Sequence, residues 1–143
     1  MSRLEEQIEI DAPAEQVWAQ LHRIDEYPQF VDGVRSAFAE GDSRAHFDVG
    51  AGGEPRGFDT ELTDRGGEQV LAWQTLGGSP ELKGAFAVLE LDDGHCALQA
   101  RLEYDGAELR EAFGGPKGFA QVRAVEQAVR TDLEQFKEMV ENR

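Results

Sequence analysis

The chain has 143 residues, 40% of them hydrophobic and 30% charged, and its 29 acids against 14 bases give a formal charge of −15. That length supports one core burying roughly 68% of the unfolded surface, no apolar run approaches the ~20 residues of a membrane span, and the negative field opposes nucleic acid and anionic lipid surfaces. A single cysteine, Cys96, excludes an internal disulfide, and the first six residues lack the apolar core of a signal peptide, so a cytoplasmic protein is expected.

Leu4, Ile8 and Ile10 share one parity and Glu5, Gln7 and Glu9 the other, which predicts a first strand. Asp11-Ala12-Pro13 then offers a capping carboxylate and a proline near a first helical turn. Ala14, Val17, Trp18 and Leu21 follow at i, i+3, i+4 and i+7, the spacing of a short amphipathic helix. Residues 24–31 read as a second, shorter helical turn, interrupted because the residue before Pro28 avoids helical dihedrals.

From Gly33 the period shortens towards two, and glycine or turn clusters punctuate the chain roughly every ten residues, the pattern of an antiparallel meander. Strands are expected at 34–40, 43–50, 56–64, 68–76, 82–92 and 95–105, broken at Gly41-Asp42, Gly50-Ala51-Gly52-Gly53, Gly66-Gly67, Gly77-Gly78-Ser79-Pro80 and Asp92-Asp93-Gly94. Alternation places Val34, Phe38, Phe58, Leu62, Leu71, Trp73, Phe86, Val88, Leu98, Leu102 and Tyr104 on a buried face. Arg35, Asp59, Glu61, Gln74, Arg101 and Glu103 fall on the other. The stretch 105–115, with Leu109, Ala112 and Phe113 in a polar setting, reads as a mobile flap.

The last stretch, Pro116 to about Glu141, repeats Phe119, Val122, Val125, Val129, Leu133, Phe136 and Val140 at steps of three and four, one stripe of a helix. Glu126/Arg130 and Lys137/Glu141 are spaced to pair on its wet side. Such a helix is ~39 Å long, and after a run of strands it most economically lies across a sheet. No repeat or shift of composition marks a second domain, so one domain over 1–143 is expected.

Several phrases carry a family resemblance. Ile8-Glu9-Ile10-Asp11-Ala12-Pro13-Ala14-Glu15-Gln16-Val17-Trp18 and then Asp25 to Phe30, with its Tyr27-Pro28 pair, resemble the opening of the START-like (SRPBCC) polyketide cyclase, dehydrase and lipid transport proteins. Leu71-Ala72-Trp73-Gln74-Thr75 resembles that family's strand with a central tryptophan, and Asp132-Leu133-Glu134-Gln135-Phe136-Lys137 its C-terminal helix phrase. The resemblance implies an α+β helix-grip fold: a curved seven-stranded antiparallel sheet wrapped around a long C-terminal helix, with two short helices after the first strand. It further implies a cavity between sheet and helix for a lipid, quinone, polyketide or other apolar molecule. Resemblance and parity together give the expected lining as Phe38, Phe58, Trp73, Phe86, Leu98, Leu102 and Tyr104 from the sheet, with Phe119 and Val122 from the helix.

Chemistry is sparse in the sequence. His22, His46 and His95 have no metal-ligand spacing on a helix, and His95 and Cys96 are strand neighbours pointing to opposite faces, so no metal site is expected. No Gly-x-Ser-x-Gly or phosphate-binding loop is present, Cys96 reads as a small buried hydrophobe, and no cofactor is expected. The resemblance implies binding of an apolar small molecule, or cyclisation and dehydration of a polyketide-like chain, with a protein-binding role as a weaker third function. Thr75, Tyr104 and Arg56 would be the polar groups for the second if they face inward. The lack of an inward cation or acid to stabilise an enolate weighs against it. A monomer is expected, with a dimer as the alternative.

Overall fold

The computed structural model describes residues 2–50, 56–77 and 80–143. Seven strands, β1 (Ser2–Ile10), β2 (Val34–Ala39), β3 (Arg44–Val49), β4 (Arg56–Arg65), β5 (Val70–Thr75), β6 (Leu82–Asp92) and β7 (His95–Tyr104), form one curved antiparallel sheet in the order β1-β7-β6-β5-β4-β3-β2. Everything from β2 to β7 is therefore a meander, and β1 adds beside the last strand. Between β1 at one edge and β2 at the other run helix α1 (Ala14–Leu21) and a 3₁₀ helix (Ile24–Gln29). Helix α2 (Gly106–Phe113) and the long α3 (Phe119–Glu141) close the chain, giving the helix-grip arrangement. The strand breaks expected at Ala51-Gly52-Gly53 and Gly78-Ser79 lie outside the described residues.

The alternation in β1 becomes strict alternation of burial along the strand. Glu6, on the inner parity, is held there by Arg130 of α3 at 3.1 Å. Outward side chains of β1, β7 and β6 pair across the sheet: Glu103 binds Arg3 at 2.8 Å and Lys83 at 3.3 Å. Exposed pairs of this kind contribute little each, but they fix which face is wet.

Three local expectations give way to the structure. Asp11 does not cap α1; Pro13 takes the cap position without a side-chain bond, and Asp11 instead lies 3.1 Å from His95. The stretch expected as a flap is helical, because the Asp105 carboxylate accepts hydrogen bonds from the Ala107 and Glu108 amides at 2.9 and 3.1 Å and so satisfies the free donors of a helix start. The long helix begins at Phe119, not Pro116, since Gly114, Gly115 and Gly118 adopt positive φ of 73°, 98° and 61°, a region that ends one helix and cannot start the next.

The dense core gathers at the C-terminal end of α3. Leu133, Phe136 and Val140 pack with Val17 and Leu21 of α1, with Ile24, Tyr27 and Phe30, and with Ile10, Cys96 and Leu98 of the sheet. Phe136 meets Phe30 edge-on at 4.9 Å, and Tyr27 donates its hydroxyl to the Leu21 carbonyl at 2.7 Å. Polar ties reinforce this end: Glu141 accepts from the Asp11 amide at 2.7 Å, and Arg143 donates to Glu26 at 2.6 Å. Cys96 is fully buried, which pushes its thiol pKa up and fits the reading of an inert apolar filler.

Candidate functional site

Beside this core, next to the middle of α3, the sheet and helix do not close fully, and a cavity of about 310 Å³ remains between them. Its walls come from the inward parity of β3–β7, from the 3₁₀ helix and the loop before β2, from Phe113 at the end of α2, and from Val129, Asp132, Leu133 and Phe136 of α3. Antiparallel register explains the lining. Leu62 pairs with Trp73 and Trp73 with Gly84; Leu71 pairs with Phe86 and Phe86 with Ala100; neighbours across the ladder share a face. Gly84 has a specific reason to be glycine: a Cβ there would lie 2.2 Å from the Arg101 carbonyl and 2.9 Å from the Trp73 ring. The indole therefore sits over bare backbone.

Of the expected lining, Phe58, Trp73, Phe86, Leu98 and Leu102 reach the cavity. Four do not. Phe38 is 49% exposed and stacks on His46 at 5.1 Å on the outer face, because an irregularity in register between Val34 and Ser36 shifts the parity of β2 and sends Ala37 inward instead. Phe119, 86% exposed, and Val122, also exposed, precede the part of α3 that the sheet covers. The inward residue at that level is Gln121, which donates to the Gly106 carbonyl of α2 at 2.7 Å. Tyr104 is fully buried yet lies outside the cavity wall.

The polar candidates are also redistributed. Thr75 faces the cavity, but its hydroxyl accepts from the Leu82 amide at 3.0 Å and donates to the Leu82 carbonyl at 3.3 Å, so it is already committed to the start of β6. Arg56 is exposed at the start of β4. Sequence reading missed the inward acid. Asp132 lies on the same face of α3 as Val129, Leu133 and Phe136, the i−3, i+1 and i+4 neighbours, and its carboxylate accepts from the Asp32 amide at 3.1 Å. Burial, partly offset by that hydrogen bond and then aided by the nearby Asp32 charge, pushes its pKa up to about 6. The signal was present as an acid on the apolar side of the helical stripe.

A raised folded-state pKa for an acid means that the neutral form is favoured by the fold. Its destabilising contribution is absent below the unfolded value, grows as pH rises from about 4 to 6, and is constant above. Asp132→Asn, which keeps the acceptor for the Asp32 amide, is expected to be more stable than the natural protein above pH ~6 and no more stable below pH ~4. Thermal unfolding at the two ends of that range checks this.

On the outer face, strand pairing assembles a group that spacing along the chain did not reveal. His46 Nδ1 lies 2.9 Å from Asp59 and 4.0 Å from Glu40, while Nε2 lies 3.0 Å from Asp48. The hydrogen bonds to Asp59 and then Asp48 raise the His46 pKa, so the acids are engaged by an imidazole that favours its charged form. His22 is likewise tied to Asp64 at 2.7 Å, and His95 to Asp92 at 2.9 Å as well as to Asp11.

Comparison with known proteins agrees with this architecture. The sequence model described as polyketide cyclase / dehydrase and lipid transport matches residues 1–141. An uncharacterized 17.2 kDa protein of Streptomyces lincolnensis is 30% identical over 143 residues, covering 100% of this chain and 92% of its own length. Among solved structures, the Zhui aromatase/cyclase of a Streptomyces species superposes with a TM-score of 0.75 at 19% identity, covering 99% of this chain and 94% of that one. A START superfamily protein of Mycobacterium smegmatis gives 0.71 at 18% identity, with 98% and 94% covered. The di-domain aromatase/cyclase BexL gives 0.75 at 20% identity over 99% of this chain, which spans 47% of that protein. At these identities the structural matches speak for the fold.

Proposed function

The chain belongs to the polyketide cyclase / dehydrase and lipid transport family, and on that premise we propose that it binds one hydrophobic small molecule, of lipid, quinone or polyketide-like type, between sheet and α3. The observation that carries this reading is the cavity of about 310 Å³, with walls that are almost wholly apolar. Each ~100 Å² of ligand apolar surface taken from water there contributes about 2.5 kcal/mol. The volume sits at the low end of ligand pockets, ~300–1,000 Å³, so the occupant is a compact molecule or one segment of a longer one.

A second reading, cyclisation or dehydration of a polyketide-like chain, gains from Asp132. An inward carboxyl that titrates at about 6 is suited to moving protons near neutral pH. As carboxylate it can remove a proton α to one ketone, whose carbanion adds to a second ketone carbonyl to form the ring bond, and as acid it can return that proton to the alkoxide formed; removal of a further α proton and its delivery to the resulting β-hydroxyl then expels water. Native mass spectrometry of the purified protein, followed by organic extraction, separates the two. A stoichiometric apolar adduct recovered unchanged supports binding. A loaded poly-β-ketone mimic recovered lighter by one water, and unchanged from Asp132→Asn, supports the second reading. Failure of every apolar adduct to form on delipidated protein would overturn both.

A further inference from the structure

We propose that the cavity selects its occupant by charge: it accepts neutral or cationic apolar molecules that present a hydrogen-bond donor, and it rejects carboxylates, because Asp132 and Asp32 stand in its wall with no inward cation opposite among the described residues. This rests on the reading of the cavity as an apolar binding site and names the polar end of the ligand that fits it.

The geometry of the wall gives the argument. Asp132 Oδ1 takes its one hydrogen bond from the Asp32 amide at 3.1 Å, and among the described residues no protein donor reaches Oδ2. That oxygen is not sealed in the core, since no buried side-chain oxygen among the described residues lacks a partner, and it is therefore open to a donor on a ligand in the cavity. Among the described residues, no element around it contributes positive charge inward. From the loop before β2, the Asp32 carboxylate accepts from Gln135 Nε2 of α3 at 3.3 and 3.4 Å and adds negative charge. Tyr27 of the 3₁₀ helix is neutral and spends its hydroxyl on Leu21. Thr60 of β4 and Thr75 of β5 are neutral.

The bases nearby are turned elsewhere. Arg101 belongs to β7 at the cavity wall, but its guanidinium lies 3.9 Å from Glu5 on the outer face. On α3, Arg130 is held by Glu6 and Glu126, both at 3.1 Å, and Lys137 by Glu141. A ligand carboxylate would thus meet Asp132, which is half-buried, with the exposed Asp32 beside it, and like charges repel. A hydroxyl or ammonium would donate to Oδ2. Because burial raises the Asp132 pKa to about 6, protonation just below neutrality turns that oxygen from a charge into a donor and removes much of the exclusion.

Matched probes test this on the full chain: dodecanol, dodecylamine and dodecanoate, each displacing a bound apolar dye. At pH ~7.5 dodecanol and dodecylamine are expected to bind at least about tenfold more tightly than dodecanoate, the factor that ~1.4 kcal/mol of repulsion supplies. The gap should narrow at pH ~5.5. In Asp132→Asn, folded by circular dichroism, dodecanoate should gain and dodecylamine should lose affinity at pH ~7.5, and the preference of dodecanol over dodecanoate should shrink by at least about threefold. Equal binding of dodecanol and dodecanoate by the natural protein, or a gap unchanged in Asp132→Asn, overturns the inference while leaving the cavity reading in place. Failure of all three probes and the dye to bind overturns both.

Discussion

Phe136→Ala is expected to lower the free energy of unfolding by about 3–5 kcal/mol, the range for deleting a fully buried aromatic. Phe136 is 1% exposed, meets Phe30 edge-on at 4.9 Å, and sits where α3, the 3₁₀ helix and the sheet share one core. Truncation leaves a void between rigid elements and loses the edge-to-face contact, itself worth about 0.5–1.5 kcal/mol. The same side chain forms one end of the cavity wall, so the void opens into space that is already empty and cannot collapse cheaply. Urea unfolding followed by circular dichroism measures the loss. Phe136→Leu should recover more than half of it. A cost below about 1 kcal/mol for the alanine variant would mean that the helix is not anchored at this point.

Trp73→Ala should weaken binding of an apolar ligand by roughly ten- to a hundredfold, the equivalent of losing about 1.5–3 kcal/mol of apolar contact. Trp73 is at the middle of β5, inward, with Leu62 and Gly84 as its ladder neighbours, and its ring is the largest apolar side chain in the wall. Because the indole is only partly buried in the ligand-free protein, its loss should affect binding more than folding. Trp73→Phe separates the two causes. If ring contact with ligand matters, phenylalanine restores most of the affinity; if the alanine variant binds as well as the natural protein with its fold intact, the wall assignment is wrong. Dye titration alongside urea unfolding reads both quantities from one preparation.

The fold was largely legible because its signals are periodic. A period near 3.6 over the last twenty-odd residues and a period near 2 from residue 34 to 104 fix what each stretch buries, and every described strand boundary falls within about two residues of expectation. What parity cannot report is a break in register. A single irregularity between Val34 and Ser36 moved Phe38 from the cavity to the outer face. Helix periodicity likewise assigns a face and does not say where the sheet stops covering it, so Phe119 and Val122 continue the stripe of Leu133 and Val140 yet lie exposed. Asp132 shows the opposite failure. Hydrophobic counting passes over an acid on the apolar side of a helix, although that mismatch is the kind that marks a site. The Glu40–His46–Asp59 group was hidden for a third reason, since only strand pairing brings those positions together.

The central claim, an apolar binding cavity between sheet and α3, is tested most directly by filling it. Ala100 is buried at the cavity wall, where it pairs with Phe86. In a titration with an environment-sensitive apolar dye, the natural protein should bind one dye per chain with enhanced fluorescence. Ala100→Trp should abolish that signal while unfolding at the same or a higher temperature, because the new ring occupies space that the ligand would use. Dye binding undiminished in a folded Ala100→Trp would place the ligand elsewhere on the protein and contradict the account.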